Sequence, residues 1–138
     1  MNILFDTNIV LDVLLDRAPF STPAIQLFAC VERGRMIGFL GGTTITTVYY
    51  LAQKVVGTAR AKEDIRKLLR LFEIASVNRI VLESAIDDNF TDFEDAVLYE
   101  SAQHANLDAI VTRDVKGFEH ADIPVYSPDE LVKRMYAE

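Results

Sequence analysis

Short apolar runs alternate with longer stretches of helical periodicity along this chain. Asn2–Phe5, Met36–Leu40, Ile74–Val77, Ala109–Thr112 and Pro124–Tyr126 are too short for helices and too apolar for open solvent, so each reads as a strand. The segments between them read as helices. Ile9–Leu15 is short. Ser21-Thr22-Pro23 offers a hydroxyl cap with proline in the first turn, for a helix reaching about Arg33 and stopping at Gly34. Thr43–Val56 ends at Gly57, and Ala59–Phe72 sets Ile65, Leu68, Leu69 and Phe72 on one stripe. Asn78 caps Arg79–Ile86, Thr91 and Glu94 have capping-box spacing for a helix to about His104, and Ser127-Pro128 opens the last helix. Apolar strands separated by helices make a parallel sheet covered on both faces, here a three-layer α/β/α sandwich of about five strands. Right-handed crossovers carry all strand C-terminal ends to one edge, where such sheets hold ligands. With 138 residues and no linker-like or repeated stretch, one domain over residues 1–138 is expected.

Hydrophobic residues make up 50% of the chain, enough for a core that needs no disulfide. The single cysteine, Cys30, sits in the apolar run 25–31 and reads as a buried, inert thiol, so an intracellular, cytoplasmic protein is expected. The first apolar run ends at Asp6, too early for a signal peptide, and no run approaches the length of a membrane helix. A net charge of −7 argues against broad, unspecific nucleic-acid binding. The charge is nevertheless uneven. Residues 54–79 hold seven of the fourteen basic side chains against three acids, whereas residues 80–138 hold fourteen acids against four basics. One region can touch phosphate while the other holds metal, although a solvated helix face explains 58–72 equally well.

Four acids fall where the predicted topology brings chain segments together. Asp6 follows the first strand, and Asp114 lies two residues past Thr112. If those strands are parallel neighbours, the two carboxylates share an edge. Asp92 and Asp95, three apart at a helix start, share a face. Like charges so crowded repel unless a cation offsets them. Hard oxygen donors suit Mg2+ or Mn2+, which activate water and stabilise the leaving oxygen of a phosphodiester. Each acid also has a plainer reading. Asp92 can be a helix cap, Glu94 half of a capping box, Asp6 and Asp114 turn residues, and Asp108 a turn or cap residue. Asp12, on the same helical side as Asn8, can be merely exposed or hydrogen-bonded. His104 and His120 lack the spacing of a metal pair.

Asp6-Thr7-Asn8, Asp92-Phe93-Glu94-Asp95-Ala96 and Ala109-Ile110-Val111-Thr112-Arg113-Asp114, with Phe118 behind the last, resemble in order and spacing the PIN-domain family, the fold of VapC-like toxin nucleases. Ile123–Pro128 resembles that family's last strand and helix start. The resemblance implies Mg2+- or Mn2+-dependent endonucleolytic hydrolysis of RNA. Asp6, Asp95 and Asp114 would be metal ligands, Asp92 a further candidate, and Asn8 a support for the loop. It also implies a homodimer and, in a toxin, a protein antitoxin whose basic segment the acids would attract. The family usually carries a glutamate on the helix after the second strand. Here Thr44–Gln53 contains no acid, the pattern places the missing residue near Tyr49, and Asp92 is a candidate replacement. Tyr49 and Tyr50 read as core or interface residues, with base stacking as the functional alternative.

Two other readings remain. A phosphatase of the Asp-x-Asp type is disfavoured because Asn8 breaks the pair, and a phospho-receiver lacks its late lysine. A PIN-fold protein with weak or no catalysis, acting as an RNA- or protein-binding module, draws support from the missing glutamate.

Overall fold

The computed structural model describes residues 1–137. Its strands are β1 (Asn2–Phe5), β2 (Ile37–Gly41), β3 (Glu73–Ala75), β4 (Ala109–Val111) and β5 (Val125–Tyr126). Its helices are α1 (Thr7–Leu14), α2 (Ser21–Glu32), α3 (Gly42–Val56), α4 (Thr58–Leu71), α5 (Arg79–Ile86), α6 (Phe93–His104) and α7 (Pro128–Tyr136). A 3-10 turn spans Val115–Phe118. All strand pairs are parallel, in the order β3-β2-β1-β4-β5. The expected sandwich of about five strands is therefore what forms, and β1 and β4 are the expected neighbours, with Phe5 opposite Val111.

Alternation along the central strands sorts the core into two layers. Ile3, Phe5, Ala109 and Val111 face one side, where they pack with Ile9 and Val10 of α1, Leu27 of α2, Leu68 of α4 and Leu131 of α7. Leu4 and Ile110 face the other side, against Leu98, Tyr99 and Phe118. α5 lies outside α6, joined through Val81, Ala85, Ala96 and Val97. The rings of Phe5, Phe28 and Phe72 meet edge to face with centroids 5.0–5.9 Å apart. Phe72 also closes over Gly38, where an added Cβ would lie 2.6 Å from its ring. Cys30 is fully buried.

Two helix starts differ from the sequence expectation. Phe20, not Ser21, occupies the cap position of α2 and gives no side-chain hydrogen bond. α6 is capped by Asp92, as the plainer reading of that residue has it, with its carboxylate accepting from the Asp95 N–H, and not by the Thr91–Glu94 capping box. A carboxylate serves that position well because it faces the positive end of the helix dipole. The caps at Asn78 and Ser127 form as expected, the latter as a capping box with Glu130. No helix among the described residues is long and apolar enough to cross a membrane.

Candidate metal centre

The C-terminal ends of β1 and β4 place the acids. Asp6 leaves β1 with its N–H donating to Val111 O of β4 at 3.0 Å. Its carboxylate is held at both oxygens: the Thr7 N–H donates to Oδ1 at 2.7 Å and the Thr112 hydroxyl donates to Oδ2 at 2.7 Å. Thr112 Oγ1 in turn accepts from the Asp114 N–H at 2.9 Å. Asp114 then caps the 3-10 turn, its Oδ1 accepting from the Gly117 N–H at 3.1 Å.

Asp95 approaches from the first turn of α6. Its Oδ2 lies 3.1 Å, and Asp114 Oδ2 2.5 Å, from the point where a Cβ on Gly117 would sit. Two carboxylate oxygens from separate segments thus converge on one spot, open only because residue 117 is glycine. Burial, followed by the charges of Asp6, Asp92, Asp114 and Glu94, pushes the Asp95 carboxyl up to about 7. Burial also raises Asp6, against the pull of its bonds from Thr112 and Thr7, and the carboxylates that add to the rise are Glu94 and Asp114.

Asp6, Asp95 and Asp114 therefore stand at one edge. Asp92 is exposed beside them, with one oxygen committed to capping α6. Asn8 lies on the first turn of α1, half-buried, and its Oδ1 is buried without a hydrogen-bond partner. Among the described residues no three His, Cys, Asp or Glu side chains stand close enough to enclose a cation by themselves. Mg2+ does not require such a cage, because it commonly takes one or two carboxylates and keeps several waters. Asp95 and Asp114 converging over Gly117, with the charge of Asp6 felt at Asp95 and an unpartnered Asn8 Oδ1 two residues after Asp6, fit an open site of that kind.

The helix after β2 contributes a hydroxyl in place of an acid. Thr44 is fully buried, and its Oγ1 lies 2.9 Å from Oγ1 of Thr7, the residue after Asp6. Tyr49, the position suggested by pattern, instead lines a groove of about 370 Å3 with Tyr50, Lys62 and Arg66. Of its two plain readings, exposed or hydrogen-bonded, Asp12 takes the second. It is fully buried, and Arg113 donates to both its oxygens, Nε to Oδ2 at 2.7 Å and Nη2 to Oδ1 at 3.2 Å. Arg17 adds a second cation at 3.2 Å. Asp108 accepts from the Asn2 N–H at 2.7 Å, a joint between the starts of β4 and β1. Sequence reasoning read Glu94 only as half of a capping box and missed Thr7, Thr44, Thr112 and Gly117. The only signal for the missed residues was that Thr7, Thr112 and Gly117 are small or hydroxyl residues within three positions of an acid.

The comparisons with known proteins agree with this geometry. The family model described as PIN domain matches residues 2–116. Ribonuclease VapC1 of Aquifex aeolicus is 27% identical over 137 residues, covering 96% of this chain and 94% of that protein. A toxin–antitoxin complex from Klebsiella pneumoniae superposes with a TM-score of 0.68 at 27% identity, covering 91% of this chain and 97% of the matched one. Mycobacterium tuberculosis VapC20, described as a sarcin–ricin loop cleaving toxin, superposes with a TM-score of 0.67 at 13% identity, covering 85% of this chain and 95% of its own. With the family match spanning most of its length and the strand order and sheet-edge acids in place, this chain belongs to the PIN-domain family.

Proposed function

We propose that the protein is a metal-dependent endoribonuclease that hydrolyses RNA phosphodiester bonds. The observation that carries this reading is the convergence of Asp95 and Asp114 over Gly117, beside a doubly hydrogen-bonded Asp6. Mg2+ or Mn2+ would be held by Asp95, Asp114 and Asp6, with Asp92 and Glu94 as outer acids and Asn8 as a support. When bound, the cation supplies positive charge for the crowded carboxylates, activation of water and stabilisation of the leaving oxygen. The protein's own part is positional. Thr112 and Thr7 fix the Asp6 carboxylate, and Thr112 also fixes the backbone of Asp114. Asp92 fixes the start of the helix that carries Asp95.

The named activity of Ribonuclease VapC1 supports the reaction. The Klebsiella pneumoniae complex supports a toxin role with a protein antitoxin. We further propose that each chain is a single PIN domain, that two chains form a homodimer, and that it works in the cytoplasm. Cleavage of a fluorogenic RNA with added Mn2+, compared between wild type and Asp6→Asn, tests the reaction. Metal-dependent cleavage that the variant loses supports it. A second reading, an RNA- or protein-binding module with little catalysis, is favoured by one observation: α3 carries no acid, and Tyr49, near the position where one is expected, lines a groove with Tyr50, Lys62 and Arg66. That binding-only reading is sustained if wild type binds RNA yet cuts none at any Mn2+ concentration.

A further inference from the structure

A second hollow opens on the same edge of the sheet as the acids. It has a volume of about 480 Å3 and lies between the segment ahead of α2 and the start of α7. Pro19, Phe20 and Pro128 form apolar walls, and Arg113, Ser127 and Asp129 supply the polar groups. Ser127 directly follows β5, and Arg113, between β4 and Asp114, is the chain neighbour of one of the acids.

The lining distinguishes between occupants. Phe20 is 42% exposed, yet its ring is braced, with the Arg113 guanidinium 4.0 Å from its centroid. Arg113 is itself fixed by two hydrogen bonds to the buried Asp12. A held, exposed ring beside proline walls suits a flat π-system. A phosphate is poorly suited, because Arg113 already spends Nε and Nη2 on Asp12 and Asp129 adds a negative charge to the lining. A carboxylate in that position accepts from N–H groups, which the edge of a nucleobase provides. The volume falls within the roughly 300–1,000 Å3 of small-ligand sites.

We propose that this hollow seats the base of a nucleotide next to the bond to be cut, stacked on Phe20 with its N–H edge toward Asp129. The proposal rests on the endoribonuclease reading and adds a determinant of sequence preference to it.

The test titrates fluorescein-labelled 2′-O-methyl RNA pentamers, one for each base, against wild type, Phe20→Ala, Phe20→Leu and Asp129→Asn, and maps the sites cut in a mixed RNA in parallel. Thermal midpoints establish that each variant folds. Wild type is expected to bind one pentamer at least tenfold more tightly than the weakest. Phe20→Ala is expected to lose about tenfold, the scale of one base–aromatic stack, and Phe20→Leu nearly as much because it fills space without a ring. Asp129→Asn is expected to reorder the base preference. A wild type without base preference, or variants with unchanged affinity and unchanged cut sites, overturns the proposal and leaves the hollow to a protein segment. If pentamer binding behaves as expected while wild type cuts no RNA, the nuclease reading fails and the base site stands.

Discussion

The Thr112 hydroxyl donates to Asp6 Oδ2 at 2.7 Å while accepting from the Asp114 N–H at 2.9 Å. One fully buried side chain thus holds the first and last acids of the site together. Thr112→Val keeps the shape and removes both bonds. It is expected to destabilise the fold by about 1–3 kcal/mol, because buried polar partners are left unpaired. Cleavage and metal affinity are expected to fall about 10- to 100-fold, as when other groups that orient metal ligands are lost. Thr112→Ser should restore most of both. Urea unfolding alongside Mn2+ titration checks the pair of effects.

Gly117→Ala adds a single methyl where Asp114 Oδ2 lies 2.5 Å and Asp95 Oδ2 3.1 Å away. No charge is lost, yet Asp114 must move while its other oxygen is held by the Gly117 N–H. A displacement of about 1 Å at a reacting centre can cost on the order of 100-fold in rate. A fall of tenfold or more in cleavage is therefore expected, with far-UV circular dichroism unchanged. Retained activity would show that the two oxygens do not act on a common ligand.

Asp92→Asn keeps an N-cap acceptor and removes one charge beside Asp95. It should reduce Mn2+ affinity only a few-fold, whereas Asp95→Asn should abolish binding and cleavage. Isothermal titration of both variants ranks them. Equal losses would make Asp92 a ligand in its own right, the replacement for the acid that α3 lacks.

Asp12→Ala leaves two guanidinium groups facing an empty, buried position. Breaking such a pair from the buried side costs about 3 kcal/mol. Arg17→Ala, at a side chain 40% exposed, should cost no more than about 1 kcal/mol. Chemical denaturation of both variants measures the difference, and near-equal values would contradict the assignment of Asp12–Arg113 as the stronger contact.

Burial raises Glu100 to about 7, helped by the Asp88 carboxyl and opposed by His104. Asp88 Oδ2 is buried with no N–H or O–H donor, so a proton on Glu100 serves the pair. The folded protein therefore binds this proton more tightly than the unfolded chain does. The stabilisation is complete below the unfolded value near 4.5 and is lost as pH rises toward 7. Glu100→Gln should flatten this part of the pH profile and make the variant the more stable protein, relative to wild type, at pH 8 than at pH 5. Urea midpoints at the two pH values test it. Asp95, also raised, is common to both proteins and cancels in the comparison.

The order of strands and helices could be read from the residues because each element is specified locally. Period-two and period-3.6 patterning, the caps at Asn78 and Ser127 and the stops at Gly34 and Gly57 act within a few residues of where they stand. The same patterning implied a covered parallel sheet, and a parallel sheet implies one common edge for Asp6 and Asp114. What lies around those acids depends on contacts between residues far apart in the chain. Thr112 meets Asp6 across 106 positions, Arg113 meets Asp12 across 101, and Thr44 meets Thr7 across 37. A hydroxyl or a methyl-free position carries no sign in the sequence of which carboxylate it will face. Asp12 had the same sequence signature whether it ended in solvent or under two arginines. The linear pattern chose the edge of the sheet; only the closing of β1 against β4 and of α6 over the 3-10 turn decided which side chains share it, because burial and hydrogen bonding are settled by neighbours in space.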